Sequence, residues 1–178
     1  MKITKGQTAP IFKTKDIWGN EFDLTANASQ KTLLMFFRYA ECPLCNLRLS
    51  EIQRSIDLFS KNEIRLVAVF QSPATSLLTQ IVSRHTFEFI ILGDPERILY
   101  DLYDVKPSWT KAFKFFTVNG IQHFLAAWKL NYKPGKVEGK LHQIPADFLI
   151  DENNRLQIAH YGSSVVDHLP LTIIFDSL

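Results

Sequence analysis

The sequence predicts an α/β fold with a partly parallel sheet, and three observations carry that expectation. Short apolar runs of strand length recur along the chain, segments of helical period separate them, and turn residues punctuate the junctions. The 178 residues are 46% hydrophobic and 21% charged, which excludes disordered, fibrous and low-complexity classes. The expectation is one domain spanning 1–178, since domains run to about 100–200 residues. Such a chain buries roughly 70% of its unfolded surface and needs no disulfide or metal to fold.

The elements follow in order. Residues 12–17 and 21–24 read as a β-hairpin that turns through Trp18-Gly19-Asn20. The run TLLMFFR at 32–38 is continuously apolar before its arginine, as a central strand covered on both faces requires. From 42 to 59, Cys45, Leu49, Ile52, Ile56 and Phe59 recur at steps of four and three, forming one helical stripe. IRLVAVF at 64–70 is the next strand. Ser72 as N-cap and Pro73 at the first helical position open a helix over 73–85. A strand at 88–92 precedes Asp94-Pro95 and a short helix through Leu102. DFLID at 147–151 and RLQIAH at 155–160, joined by Glu152-Asn153-Asn154, read as an antiparallel pair, and 169–178 as a last short helix.

Residues 106–141 break the alternation. Seven lysines against one acid, Glu138, give this segment +6 and leave −4 on the rest of a chain whose total is +2. Trp109, Phe113, Phe115, Phe116, Phe124, Trp128 and Tyr132 lie among the lysines. The segment reads as a mostly helical insertion that Pro134-Gly135 terminates. It suits a membrane surface, an anionic partner or a homo-oligomer contact, or else a solvated lysine face over an aromatic core. The total of +2 does not point to nucleic acid. The N-terminus lacks the apolar run of a signal peptide, and no apolar run is long enough for a transmembrane segment. A cytoplasmic protein is the expectation, and there a close cysteine pair is redox-active or metal-binding more often than structural.

The pair is Cys42-Pro43-Leu44-Cys45, directly after a buried strand and at the start of an amphipathic helix. With Cys42 near the N-cap and Pro43 at the first helical position, first-turn N–H groups face the Cys42 sulfur, and the positive helix end favours its thiolate. Cys45 lies one turn on, within disulfide reach. It belongs to the apolar stripe, so it should be the more buried sulfur, and burial makes it a poor first attacker. Cys42 is therefore the expected nucleophile and Cys45 the resolving cysteine. Ordinary buried cysteines are the alternative. Zinc is another, but no second C-x-x-C or H-x-x-x-H spacing completes a four-ligand site, so no metal is expected. Gly-x-Gly-x-x-Gly is absent as well.

These residues, with Pro145 just ahead of a strand and hairpin, resemble the thioredoxin superfamily. The resemblance implies a thioredoxin fold, a central mixed sheet flanked by helices, in which the Ile144–Pro145 bond is cis and packs on the cysteine pair. A plain trans proline is the other reading. The opening Gly6-Gln-Thr-Ala-Pro10-Ile-Phe12, the motif F-x-R-x-x-x-C-P-x-C from Phe36 to Cys45, and Leu92-Gly-Asp-Pro95 are similar to the alkyl hydroperoxide reductase/thiol-specific antioxidant (AhpC/TSA) group, in its peroxiredoxin-like members.

That resemblance implies a peroxide or disulfide substrate, a thioredoxin- or glutathione-type electron donor and no prosthetic cofactor. Departures from the typical pattern put Tyr39 at the Thr/Ser position, Met35 at the proline position and Pro145 at the arginine position, so slow peroxide reduction is expected. Arg38 either supports the thiolate or is a charge at the strand end. Glu41 beside Cys42 opposes ionisation, so the fall in its pKa should be modest. Asp167 and His168 are expected to serve as helix caps or surface groups, with an approach to the site from the C-terminal region as the alternative. A non-catalytic interaction module, docking through 106–141, is the alternative to an enzyme.

Overall fold

The computed structural model describes residues 2–25, 30–85 and 89–177. A two-stranded hairpin, β1 (Lys13–Lys15) and β2 (Glu21–Asp23), precedes a five-stranded sheet. That sheet contains β3 (Lys31–Phe36), β4 (Ile64–Phe70), β5 (Ile90–Gly93), β6 (Ala146–Ile150) and β7 (Leu156–Tyr161), in the order β5-β4-β3-β6-β7. β3, β4 and β5 run parallel, whereas β6 and β7 are antiparallel additions. The mixed sheet expected from the sequence is present. Glu88, the expected start of β5, and Leu178, the expected end of the last helix, lie outside the described residues.

Both faces of the sheet are covered, which is why its central strands read as continuous apolar runs. Leu33, Met35 and Phe37 pack on one side with Leu49 and Ile52 of α1 (Pro43–Arg54), Phe59 of α2 (Ile56–Lys61) and Leu77 of α3 (Ala74–Gln80). Ile174 of α7 (Leu171–Asp176) closes that layer. Leu34 and Phe36 face the other way, against Tyr100 of α4 (Ile98–Leu102), Tyr103 and the hairpin residues Phe12 and Phe22. Tyr100 is fully buried and donates its hydroxyl to the Phe37 carbonyl at 2.7 Å, which anchors the end of β3 where the cysteine loop begins.

Four local expectations need correction. The stripe from 42 to 59 is two helices, because the Ser55 N–H turns back to the Ile52 carbonyl at 2.9 Å and a new helix starts after it. The third helix starts at Ala74 with Pro73 as its cap, since the Ser72 hydroxyl is engaged by the Ala40 N–H at 2.9 Å. It also ends at Gln80, short of His85. Finally, the Ile144–Pro145 bond is trans, with no cis peptide among the described residues. The His142 carbonyl accepts from Ser108 N–H at 2.9 Å and the Pro145 carbonyl from Gly162 N–H at 2.9 Å. A chain held extended from both ends continues through the lower-energy trans isomer.

The insertion contains α5 (Trp109–Ala112), a 3-10 turn (Phe113–Phe116) and α6 (Val118–Lys129). Its helical part stops at Lys129, before Pro134-Gly135, and Asn131 takes a positive φ of 62°. The returning segment is held by Gln71, whose Oε1 accepts from Lys140 N–H at 2.8 Å and from Arg97 Nη1 at 2.8 Å. Gly139 lies against this amide with φ +75°, and a Cβ there would sit 2.7 Å from Gln71 Oε1. Gly139→Ala therefore combines left-handed backbone strain with a clash. It should lower stability by about 1–3 kcal/mol, several degrees in Tm, in thermal unfolding. Gly6→Ala, with φ +86° and open space around it, should show only the smaller backbone part.

Candidate active site

The site forms where β3 ends. Phe37 N–H still bonds the Val69 carbonyl at 2.8 Å, but the next N–H, that of Arg38, points at Cys45 Sγ at 3.4 Å, and the chain leaves the sheet. Cys42 is the N-cap of α1, with extended φ and ψ and its sulfur accepting from Cys45 N–H at 3.4 Å, and Pro43 takes the first helical position as expected. Asn46 fixes the loop from inside. Its Nδ2 donates to the carbonyls of Ala40 at 2.8 Å and Cys42 at 2.9 Å, and its Oδ1 lies 3.0 Å from His85 Nε2. Burial, reinforced by the Arg84 charge, lowers the pKa of His85 to about 4, so that ring is neutral and donates to Asn46.

Arg38 resolves the choice left open by its position. Its Nη2 lies 3.0 Å and its Nε 3.3 Å from Cys42 Sγ, while Nη1 donates to the Leu141 carbonyl at 3.2 Å. The guanidinium also covers the Tyr39 ring at 5.4 Å. Burial alone would push the Cys42 thiol up. Hydrogen bonding from Cys45, the Arg38 charge and the Arg38 N–H groups outweigh it and bring the pKa down to about 5. The fall is larger than the modest one expected. Glu41, the reason for that expectation, turns to the insertion, where Oε2 accepts from Lys136 N–H at 2.9 Å. Burial, together with the hydrogen bond to Cys42 and the repulsion of its charge, pushes Cys45 well above the ordinary thiol range. Tyr39 is pushed up to about 12, chiefly by burial and then by Cys42, and stays neutral.

The expected difference in burial is absent, since both cysteines are buried. Cys42 is 0% exposed and Cys45 4%, because the Arg38 side chain lies over the first sulfur while the second borders a cavity. That cavity, about 190 Å³, is shared with Arg48, His123, Pro145, Val165 and His168. Pro145 thus reaches the site without a cis bond. A second cavity of about 360 Å³ also borders Arg38 and is lined by Tyr39, Pro43, Leu44 and by Trp109, Phe113 and Phe116 of the 106–141 segment. Both cysteines are free.

Sequence reasoning missed several members of the site. His168, half-buried with its side chain 8% exposed, tilts against the Phe37 ring at 4.9 Å and meets the Asp147 carboxylate through Nδ1 at 2.9 Å, so it approaches the site instead of serving at the surface. Asp167 does act locally, accepting from Ser163 N–H at 2.7 Å, away from the cysteines. Asp147 also accepts from Leu169 N–H at 2.6 Å, which ties the C-terminal segment to β6. The available signal was a lone acid at the head of the apolar run DFLI. For Gln71 and Arg97 no sequence signal existed.

A profile described as the AhpC/TSA family matches residues 5–159. The chain belongs to the AhpC/TSA family. Membership makes it a thiol oxidoreductase, and its structure has the thioredoxin fold of that family. A Mycobacterium tuberculosis protein provisionally named a peroxiredoxin is 21% identical over 170 residues, covering 94% of this chain and 91% of that relative. Among solved structures, a mutant of PrxQ from Xylella fastidiosa superposes with a TM-score of 0.70 at 14% identity, covering 99% of this chain and 95% of that one. Peroxidoxin BcpB from Mycobacterium tuberculosis gives 0.66 at 15% identity, covering 98% and 96%. At such identities the superpositions establish the fold alone.

The Arg38 contact makes a measurable claim for this family member. An anionic sulfur that loses its cation ionises less readily, so Arg38→Met should raise the alkylation midpoint of Cys42 from about 5 toward about 8.5. Its reactive fraction at pH 7 then falls from nearly all to about a few per cent. Iodoacetamide rates against pH, in a Cys45→Ser background that isolates Cys42, provide the measurement. An unmoved midpoint would remove Arg38 from the explanation.

Proposed function

We propose that the chain reduces a disulfide or a peroxide through a Cys42 thiolate, with Cys45 as resolving cysteine in the same helical turn. The observation that carries this reading is the Arg38 fork on Cys42 Sγ, which keeps a buried sulfur anionic at neutral pH. With a disulfide, Cys42 sulfur attacks one substrate sulfur and the other leaves as thiolate. Cys45 then attacks the mixed disulfide, expels the second thiolate and closes Cys42–Cys45. With a hydroperoxide, Cys42 attacks the terminal oxygen, the O–O bond breaks and the alkoxide takes a proton to leave as an alcohol. Cys45 sulfur then displaces hydroxide from the resulting sulfenic acid, and water departs. In either case a thioredoxin- or glutathione-type donor returns two electrons by thiol exchange, and no prosthetic group takes part.

Cys45 must lose its proton in the second step, and its high pKa makes that the demanding one. His168 lines the cavity that Cys45 borders, with Nδ1 on Asp147, and in this reading it is the group that takes that proton. Tyr39 and Pro145 stand where typical family members carry a hydroxyl and an arginine for the peroxide. We therefore assign disulfide exchange the faster rate. In this reading 1–178 is one cytoplasmic domain, and 106–141 is its insertion.

Cys42→Ser should reduce turnover by more than about 10³-fold. Cys45→Ser should trap a mixed disulfide or a sulfenic acid, seen by mass spectrometry. His168→Gln should slow closure of the disulfide while leaving the first attack near its original rate in stopped flow. Insulin reduction measured beside peroxide consumption ranks the two substrates, and a peroxide rate equal to typical peroxiredoxins would overturn the ranking. A Cys42 inert to alkylation at neutral pH would instead favour the non-catalytic docking module.

A further inference from the structure

The insertion solves a structural problem for the site and creates another at the surface. Of the twelve residues of α6 only Gly120 and Ala127 are buried, so the helix touches the body along a narrow seam. Trp109, Phe113, Phe116, Val118, Leu125 and Trp128 are each more than half exposed. Phe113 lies 6.5 Å from Trp109 and 6.4 Å from Phe116 between ring centres, so this is a connected aromatic surface and not scattered side chains. Exposed apolar surface of that extent marks an interaction site.

Charge selects the partner. Lys114, Lys129, Lys133 and Lys140 are exposed and form no ion pair among the described residues. They lie within the segment of +6 on a body of −4. A second copy docking through the same face would bring +6 against +6. A nucleic acid would satisfy the lysines but has no apolar phase for Val118 and Leu125. An anionic bilayer supplies both, headgroup charge for the lysines and the acyl boundary for the aromatic and aliphatic groups. Tryptophan beside lysine is also the composition that sits at membrane interfaces.

We propose that residues 106–141 form a docking face for an anionic membrane surface. The cavity of about 360 Å³ opens from this face to Arg38, with Phe113 and Phe116 on one wall and Tyr39 and Leu44 on the other. Docking therefore sets this apolar cavity, which ends at the Arg38 that covers Cys42, at the bilayer boundary, where an apolar molecule partitioned in lipid enters it without crossing water.

The test needs no turnover, so it stands or falls apart from the redox reading. The full chain is sedimented with vesicles of phosphatidylcholine alone and with vesicles containing phosphatidylglycerol, at low and high salt. About tenfold more protein should bind the anionic vesicles, and the difference should shrink as salt rises. The chain has three tryptophans, so in Trp18→Phe the emission comes from Trp109 and Trp128 and should shift to the blue on binding. Lys114→Glu with Lys129→Glu should abolish the preference for anionic vesicles, and Phe116→Ser should weaken binding, in variants whose circular dichroism is unchanged. Equal binding to both vesicle types, no binding, or binding without an emission shift overturns the proposal. A concentration-dependent dimer that Phe116→Asp dissolves overturns it too, and assigns the face to a second copy.

Discussion

A guanidinium laid on a buried sulfur is the constraint around which the rest of the molecule is arranged. Arg38 and Cys42 are four residues apart in the chain, one just past the end of β3 and the other the cap of α1. Without Arg38, burial would favour the neutral Cys42 thiol, and without Cys42 the guanidinium would be a buried charge lacking its anion. Removing one partner of a buried ion pair costs about 3–5 kcal/mol, because the remaining charge is then desolvated and unmatched. The pair therefore demands that strand end and helix start meet in one geometry. The buried hydrogen bonds of Asn46, Ser72 and Tyr100 serve that demand, each holding a backbone group of the connecting loop or of the strand end.

The insertion is part of the same arrangement. Arg38 donates to the Leu141 carbonyl, 103 residues away, and Gln71 bonds both the Arg38 carbonyl and the backbone at Lys140. Through these contacts the return of the insertion forms one wall of the sulfur's surroundings. Arg97 extends the network to Gln143, two residues before Pro145. The charge split in the sequence thus has a structural meaning: the basic segment is tied at its end to the redox site while its aromatic face points outward.

The two cysteines divide one electrostatic environment unequally. Both are buried, so burial alone would raise both. Arg38 reaches Cys42 with two donors, and the helix cap turns the Cys45 N–H toward the same sulfur. Cys45 lends its hydrogen bond and is left with the repulsion of the resulting charge. A low pKa at Cys42 beside a high one at Cys45 follows from where the donors point, and not from a difference in burial, since both are buried.

Much of the fold was legible because its signals are local. Alternating burial and runs of branched apolar residues located all five strands of the sheet, and Cys42-Pro43 marked the start of α1, since caps and periodicities act within one or two turns. Ser72 was misread because a hydroxyl in a capping position can be taken by a distant N–H, and the stripe from 42 to 59 because apolar periodicity can continue across a break. The site divides the same way. The sequence by itself determined the cysteine pair, its place at a helix start and the charge of the insertion. Only the tertiary structure decided that Arg38 turns onto Cys42, that Asp147 holds His168 beside the Cys45 cavity, and that Pro145 arrives through a trans bond. Those outcomes depend on contacts between residues far apart in the chain, whose strength is set by shared burial and the direction of each donor, and neither quantity exists before the sheet closes.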